Sequence, residues 1–292
     1  MKKILTGGFI WLAMGTLVAQ TTSSLLWEIK TSKRSKPSYL FGTIHISNPE
    51  VFAFDQVVYE KLKQSKLLVL ELIPDQIPPQ ELYKAMSMDS SLEQLLSPSD
   101  YDFLANKLEE EYHIPVRQVD RIKPFFLNPA VLDPGEQSEE GGEPMDVHLL
   151  NLSRGWNKEI AALETLQEQI QVIDQVSLRD QAALLLESLR SDSASDADFH
   201  QLLDVYLRQD IEALVELADN EGIPVAFRRA LLDDRNNRMA SRILDLIQHK
   251  RCFIAVGAGH LGGSAGLIRL LSGNVYSITP IHFTFNHGSR DH

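Results

Sequence analysis

Two nearly uninterrupted runs of apolar residues, far apart in the chain, constrain the fold more than any other feature. Residues 67–72 read Leu-Leu-Val-Leu-Glu-Leu and are followed by Pro74, and residues 252–256 read Cys-Phe-Ile-Ala-Val. Apolar runs of this length without alternation are typical of strands that are buried on both faces, as in the parallel sheets of α/β proteins. We therefore expect both runs to be buried strands of a sheet.

The segments around these runs predict a mixed sheet and many helices. Residues 25–44 have the pattern of a hairpin, and a helical pattern at 55–65 before strand 67–72 completes a βαβ unit. Shorter strands are predicted at 159–163 and 275–281, with helices at 199–217, 233–249 and 259–271. The predicted fold is α/β tending towards α+β: a central mixed β-sheet with strands from both chain ends, flanked by helices, with a large all-helical middle insertion at about residues 78–157 and 165–250.

The first 19 residues have the composition of a signal peptide. Lys2 and Lys3 precede a mostly apolar run at 4–18, which is short for a membrane span, and the small residue Ala19 precedes a polar stretch. We expect cleavage near Ala19, export to the periplasm or the extracellular space, and a single domain over residues 20–292. A retained N-terminal anchor is the alternative.

Charge and cysteine content exclude several classes of partner and site. The 292 residues carry a formal net charge of −12, which argues against a nucleic-acid or anionic-membrane partner because there is no basic excess to neutralise phosphates. The single cysteine, Cys252, rules out a thiolate zinc site. No second apolar run approaches the length of a membrane span, so we expect none after signal cleavage.

Four chemically versatile side chains follow predicted strands. His45 and His260 each close a Gly-x-x-His tetrad after a strand, and Glu71 and Glu164 lie at the ends of two others. Ligands of open α/β sheets bind beyond the carboxyl ends of the strands, where residues distant in sequence converge. We therefore expect these four residues to form one site.

Two imidazoles and one or two carboxylates suit a divalent ion such as Zn, Mn or Co, with an open position for a reactive water. The same groups can act without metal, with a histidine held by a carboxylate as the general base. The residue types leave both chemistries open.

Arg235 and Asn236 lie on the predicted helix 233–249, where the simplest interpretation is a solvated face.

The order of these motifs resembles that of the TraB/GumN family over about residues 25–282. The matching pieces are residues 39–45 (Tyr-Leu-Phe-Gly-Thr-Ile-His), 70–72 (Leu-Glu-Leu), Met145 and Asp146, residues 162–165 (Ala-Leu-Glu-Thr) with Gln169, Arg235 and Asn236, and residues 253–261 (Phe-Ile-Ala-Val-Gly-Ala-Gly-His-Leu) with Gly266 and Leu267. An acidic, glycine-containing loop at 133–144 departs from the pattern and is interpreted as a lid or a linker.

The resemblance implies a superfamily that also includes the Tiki proteases, the erythromycin esterases and the ChaN-like haem-binding proteins. It places His45, Glu71 and His260 at catalytic or metal-binding positions, with Glu164 and Arg235 supporting the site. The resulting prediction is a metal-dependent peptidase acting on a peptide or protein. Arg235 is expected to bind a substrate carboxylate or developing negative charge. The alternatives are a non-catalytic protein that sequesters a peptide or ligand, and a metal-free esterase-like hydrolase with His45 as base.

Overall fold

The computed structural model describes residues 23–32, 35–44, 48–128, 143–190, 196–220, 225–273 and 276–286. The predicted signal peptide, His45 and residues 133–142 of the predicted loop lie outside the described residues. Among the described residues, no helix has both the length and the apolar character needed to cross a membrane.

A mixed six-stranded sheet forms the centre of the fold, which confirms the predicted fold class. Its strands are β1 (Leu26–Thr31), β2 (Ser38–Thr43), β3 (Leu67–Leu70), β4 (Glu159–Ala162), β5 (Cys252–Gly257) and β6 (Tyr276–Pro280), in the order β4-β3-β5-β2-β1-β6. Strands β4, β3, β5 and β2 are parallel to one another, whereas β1 runs antiparallel to both β2 and β6. Strands from both chain ends thus meet in one sheet.

The two apolar runs are central strands, as their composition predicts. All four residues of β3 are buried, and so are the first five of β5, because each strand has neighbours on both sides and is covered on both faces. Cys252 is fully buried and has a free thiol. The strand at 67–72 is shorter than predicted, since β3 ends at Leu70 and leaves Glu71 beyond it.

The remaining described chain is largely helical. The α-helices are α1 (Gln56–Gln64), α2 (Pro79–Met86), α3 (Leu92–Leu95), α4 (Pro98–Tyr112), α5 (Val116–Val119), α6 (Met145–Gly155), α7 (Leu166–Ile173), α8 (Leu178–Arg190), α9 (Asp196–Leu207), α10 (Ile211–Asn220), α11 (Val225–Arg229), α12 (Arg235–His249) and α13 (Leu267–Leu271). Helix α1 connects β2 to β3, and the Asp55 carboxylate caps its start by accepting from the backbone N–H of Gln56 at 2.8 Å.

Helical segments from different parts of the chain share a second hydrophobic core. Buried residues between β3 and β4, such as Leu104 and Leu108, pack with Leu185 and Leu189 of α8. The larger core surrounds the sheet. The helices therefore cover the sheet and also pack on one another away from it.

Two predicted helices are interrupted in the structure. The helix predicted at 199–217 is divided into α9 and α10 by Gln209, which has a φ of 58°. The prediction of one helix over 259–271 is wrong, because a 3₁₀ turn (Ala258–His260) is followed by a loop and then α13. Gly263 has a φ of 76°, and a Cβ on Gly266 would lie 2.0 Å from the Gly262 carbonyl oxygen, so both glycines are required by this loop.

Candidate functional site

Two carboxylates lie side by side at the carboxyl edge of the parallel strands. Leu70 pairs with Ala162 in the ladder between β3 and β4, and the ladder continues beyond both strands. The backbone N–H of Glu164 donates to the carbonyl oxygen of Glu71 at 2.9 Å. The predicted convergence of these two residues at one sheet edge therefore follows from the parallel pairing of their strands.

Arg235 joins the two carboxylates. Its Nη2 lies 2.5 Å from Glu71 Oε2 and 2.6 Å from Glu164 Oε2, and its Nε lies 2.9 Å from the same Glu164 oxygen. The Glu164 side chain has no exposed surface, and the side chains of Arg235 and Glu71 are only 12% and 14% exposed. Burial opposes the charge of the guanidinium, but Glu71 and Glu164 outweigh it and raise the pKa of Arg235.

Further polar contacts hold this ion cluster. Glu164 accepts from Gln169 Nε2 at 3.2 Å and lies 3.5 Å from Arg238 Nη2. Glu71 Oε1 accepts the backbone N–H of Gly257, at the end of β5, at 2.7 Å. The cluster is thus tied to β3, β4, β5 and α12, so its geometry depends on three of the four parallel strands and on one helix.

A π turn precedes the helix that carries Arg235. Helix α11 runs into a π turn at Ala230–Asp234, and α12 begins immediately afterwards. A π turn contains one residue more than an α-turn, so the residues after it lie on different faces of the helix than they would in a regular α-helix. Such turns often occur at functional sites. Arg235 Nη1 also donates to the Leu231 carbonyl oxygen at 3.3 Å, within this turn.

His260 lies next to the cluster in a defined orientation. Its Nδ1 is 2.7 Å from Asn236 Oδ1, and Asn236 Nδ2 donates to the Ala265 carbonyl oxygen at 3.0 Å. Because the carbonyl partner requires the amide nitrogen of Asn236, the amide oxygen faces the imidazole, and Nδ1 of His260 must be the protonated nitrogen. In the neutral ring, Nε2 is then the nitrogen with the lone pair, and it lies 3.7 Å from Glu71 Oε1.

The separation of Glu71 and His260 is compatible with two ligands of one metal ion. With ligand bonds of about 2.0–2.1 Å, donors 3.7 Å apart subtend an angle of about 130° at the ion. No group of three His, Cys, Asp or Glu side chains is placed to hold an ion among the described residues. His45, the third predicted ligand, lies outside the described residues.

The structure brings four of the five predicted site residues together: Glu71, Glu164, Arg235 and His260. The solvated-face interpretation of the α12 residues is wrong, since Asn236 is 2% exposed. The role of Asn236 beside His260 is not predicted from the sequence, although Asn236 lies next to Arg235 in the matching motif. The expectation that Arg235 binds a substrate carboxylate stays a prediction, and in the structure its guanidinium binds two carboxylates of the chain itself.

Comparison with known proteins shows which family the chain belongs to. The relatives it matches include Metalloprotease TIKI1 of Danio rerio, 26% identical over 88% of this chain and 63% of the relative, and Metalloprotease TIKI2 of Xenopus tropicalis, 24% identical over 90% and 61%. Metalloprotease TIKI1 of Homo sapiens is 23% identical over 89% and 63%. The chain thus spans about three fifths of the length of these relatives. No solved structure matches it. The model of the TraB/PrgY/gumN family matches residues 25–280, and the chain belongs to this family.

Proposed function

We propose that this chain is an exported, metal-dependent hydrolase that cleaves a peptide or protein, with His45, Glu71 and His260 as the ligands of a divalent ion. Two observations support the proposal. The family includes relatives named metalloproteases, and two of the three residues converge at the carboxyl edge of the sheet. Mn, Co and Zn all suit ligands of this type.

The observation that carries the proposal is the 3.7 Å separation of Glu71 Oε1 and His260 Nε2. Each side chain is held by a second contact, Glu71 by the Gly257 N–H and His260 by Asn236. Metal-ligating histidines commonly donate their other ring N–H to an oxygen acceptor, which fixes the ring and makes the ligating nitrogen more basic. The pair is therefore oriented as ligands would be.

The residues of the chain have distinct roles in this proposal. A bound divalent ion would make a water molecule acidic enough to supply a nucleophile near neutral pH. Glu71 acts as a ligand or accepts a proton from the attacking water, and Arg235 compensates the charge of Glu71 and Glu164 in a buried setting. Glu164 holds the guanidinium from the other side and so positions it beside Glu71.

A metal-free hydrolase is the second candidate. It is favoured by the contacts of Glu71, because one of its carboxylate oxygens already accepts from the Arg235 guanidinium and the other from a backbone N–H. In that case His45 is the general base and Arg235 stabilises negative charge that develops on the substrate. The two candidates differ in whether hydrolysis requires a metal.

Metal analysis separates these candidates. Protein purified without chelator, and supplied in turn with Mn, Co and Zn, is expected to retain about one ion per chain, whereas His260→Ala, His45→Ala and Glu71→Gln lose it. His249→Ala is the matched control, because the side chain of His249 is 72% exposed and lies outside the cluster. Absence of a retained ion with every metal contradicts the metalloprotease proposal.

Cleavage of peptide libraries is the second measurement. Activity that needs the metal supports the proposal, and chelator-resistant activity supports the metal-free candidate. A retained metal without any cleavage supports a sequestering role. Export is tested separately, since N-terminal sequencing of the exported protein is expected to give a new terminus near residue 20.

A further inference from the structure

Basic residues precede all four parallel strands at the edge opposite the candidate site. Lys66, Lys158 and Arg251 immediately precede β3, β4 and β5, and Lys36 lies two residues before β2. Because these strands are parallel, their starts lie at the same end of the sheet. We call these four residues and Lys63, near the end of α1, the amino-edge basic surface.

Backbone and side-chain contacts bring these residues together. The N–H of Lys66 donates to the Arg251 carbonyl oxygen at 2.8 Å, and Lys158 Nζ donates to the carbonyl oxygens of Ser65 and Lys63 at 2.6 and 2.8 Å. Burial, and then the charges of Arg251, Lys66 and Lys63, lower the pKa of the Lys158 ammonium. The positive charges are therefore close enough to repel one another.

The basic residues of this surface are not held in ion pairs with described acidic residues. None of its five cationic groups forms an ion pair with another described residue. Glu159, which is next to Lys158, pairs with Lys250, and Glu28 pairs with Lys30. The net charge of −12, which argues against an anionic-membrane partner, belongs to the whole chain. Docking depends on the charges near the contact, because at physiological ionic strength charges more than about 8 Å away are largely screened. The expectation of no anionic-membrane partner therefore does not extend to this surface.

An exposed tryptophan lies beside two of the lysines. Trp156 follows α6 directly and is 37% exposed. The ammonium groups of Lys63 and Lys158 are 6.0 and 5.7 Å from the centre of its ring. Tryptophan and lysine together are typical of surfaces that lie at the boundary between lipid headgroups and water, since both have an apolar body and a polar end.

We propose that the amino-edge basic surface and Trp156 dock this chain on a membrane surface that contains anionic phospholipid. The four strand starts are spread over about 14 Å, three intervals of about 4.8 Å, so their charges suit several separate phosphates better than one compact anion. Each basic residue close to an anionic membrane strengthens the attraction by about fivefold. Trp156 adds an amphipathic contact at the same edge.

Vesicle binding of the full chain tests this proposal. The readout is the ratio of partitioning onto phosphatidylglycerol-containing vesicles to partitioning onto pure phosphatidylcholine vesicles. Residues 1–19, with Lys2 and Lys3, are present in every variant, so their contribution does not differ between variants. The variant Lys36→Gln, Lys63→Gln, Lys66→Gln removes three exposed charges and is expected to lower the ratio by about a hundredfold. Trp156→Ala is expected to weaken binding to the anionic vesicles further.

The matched control is Lys84→Gln, Arg117→Gln, Arg208→Gln, which removes three exposed charges elsewhere and gives the same net charge. It is expected to retain the wild-type ratio. Equal losses in both triple variants, or a wild-type ratio near one, would overturn the proposal. So would displacement by inorganic phosphate at constant ionic strength, which indicates a compact anion site, or binding to an acidic polypeptide without binding to vesicles.

Discussion

Replacing Arg235 with alanine tests whether the ion cluster at the sheet edge is a unit of the fold. The change leaves the fully buried carboxylate of Glu164 and the largely buried carboxylate of Glu71 without the guanidinium that contacts both. Removal of one partner from a buried ion pair costs about 3–5 kcal/mol, because the remaining charge is poorly hydrated and has lost its main partner. Arg238, 3.5 Å from Glu164, replaces the Arg235 guanidinium only in part, since its side chain is 37% exposed. We therefore expect the free energy of unfolding to fall by about that amount at pH 7.

Urea unfolding followed by circular dichroism measures this loss. Arg154→Ala is the matched control, since Arg154 pairs with Asp75 but both side chains are more than 40% exposed. An exposed pair of this kind contributes about 0.2–1 kcal/mol, so the control is expected to be close to wild type. The double variant Arg235→Ala, Glu164→Gln is expected to recover part of the loss, because one uncompensated charge is gone.

Equal stability of Arg235→Ala and Arg154→Ala would show that the cluster does not stabilise the fold as a buried ion pair. Simple additivity of the effects of Arg235→Ala and Glu164→Gln would show the same, because residues that share a buried ion pair must show an interaction energy in the double-mutant cycle.

Three further predictions concern neighbouring features. Asn236→Ala is expected to lower metal affinity about 10–100-fold and to change the tautomer of His260 seen in ¹⁵N NMR spectra, whereas unchanged affinity and tautomer contradict its orienting role. Glu168, near the start of α7, accepts from Arg242 Nη2 at 2.5 Å, and this contact is the main cause that lowers the Glu168 pKa to about 2. Glu168→Gln is expected to lower the free energy of unfolding by about 1 kcal/mol at pH 7 and by progressively less as the pH falls from 4.5 towards 2, and a loss that does not vary with pH rejects this. Gly266→Ala is expected to lower the free energy of unfolding in urea by about 1–3 kcal/mol. Gly273→Ala is the control and is expected to lower it less, because the added Cβ has open space around it, and equal losses in the two variants would contradict the steric explanation.

The sheet and its edge follow from local sequence patterns. The apolar runs at β3 and β5 predict buried strands, since few other elements bury every residue over so short a length. Parallel strands then bring the residues that follow them to one edge. This is why Glu71, Glu164 and His260 were predicted to meet, and the structure places all three there.

The contacts among these residues depend on features that local patterns do not contain. Asn236 reads as part of a polar helix face, and its burial depends on how α12 follows the π turn and packs on the Gly263–Gly266 loop. Helical spacing does not signal a π turn. The burial of the charged Arg235 side chain is likewise explained only by its tertiary contacts with Glu71 and Glu164, which follow two different strands. Local sequence therefore predicts which residues approach the edge, and packing determines what each one binds.

A crystal structure of the protein grown with Mn²⁺ or Zn²⁺ tests the central claim most directly, through the anomalous signal of the metal. One peak is expected at about 2.0–2.2 Å from both Glu71 Oε1 and His260 Nε2, with His45 as a third ligand. A peak that contacts neither residue would contradict the proposed metal site. So would a crystal at saturating metal that shows no peak and an intact Arg235–Glu71 ion pair.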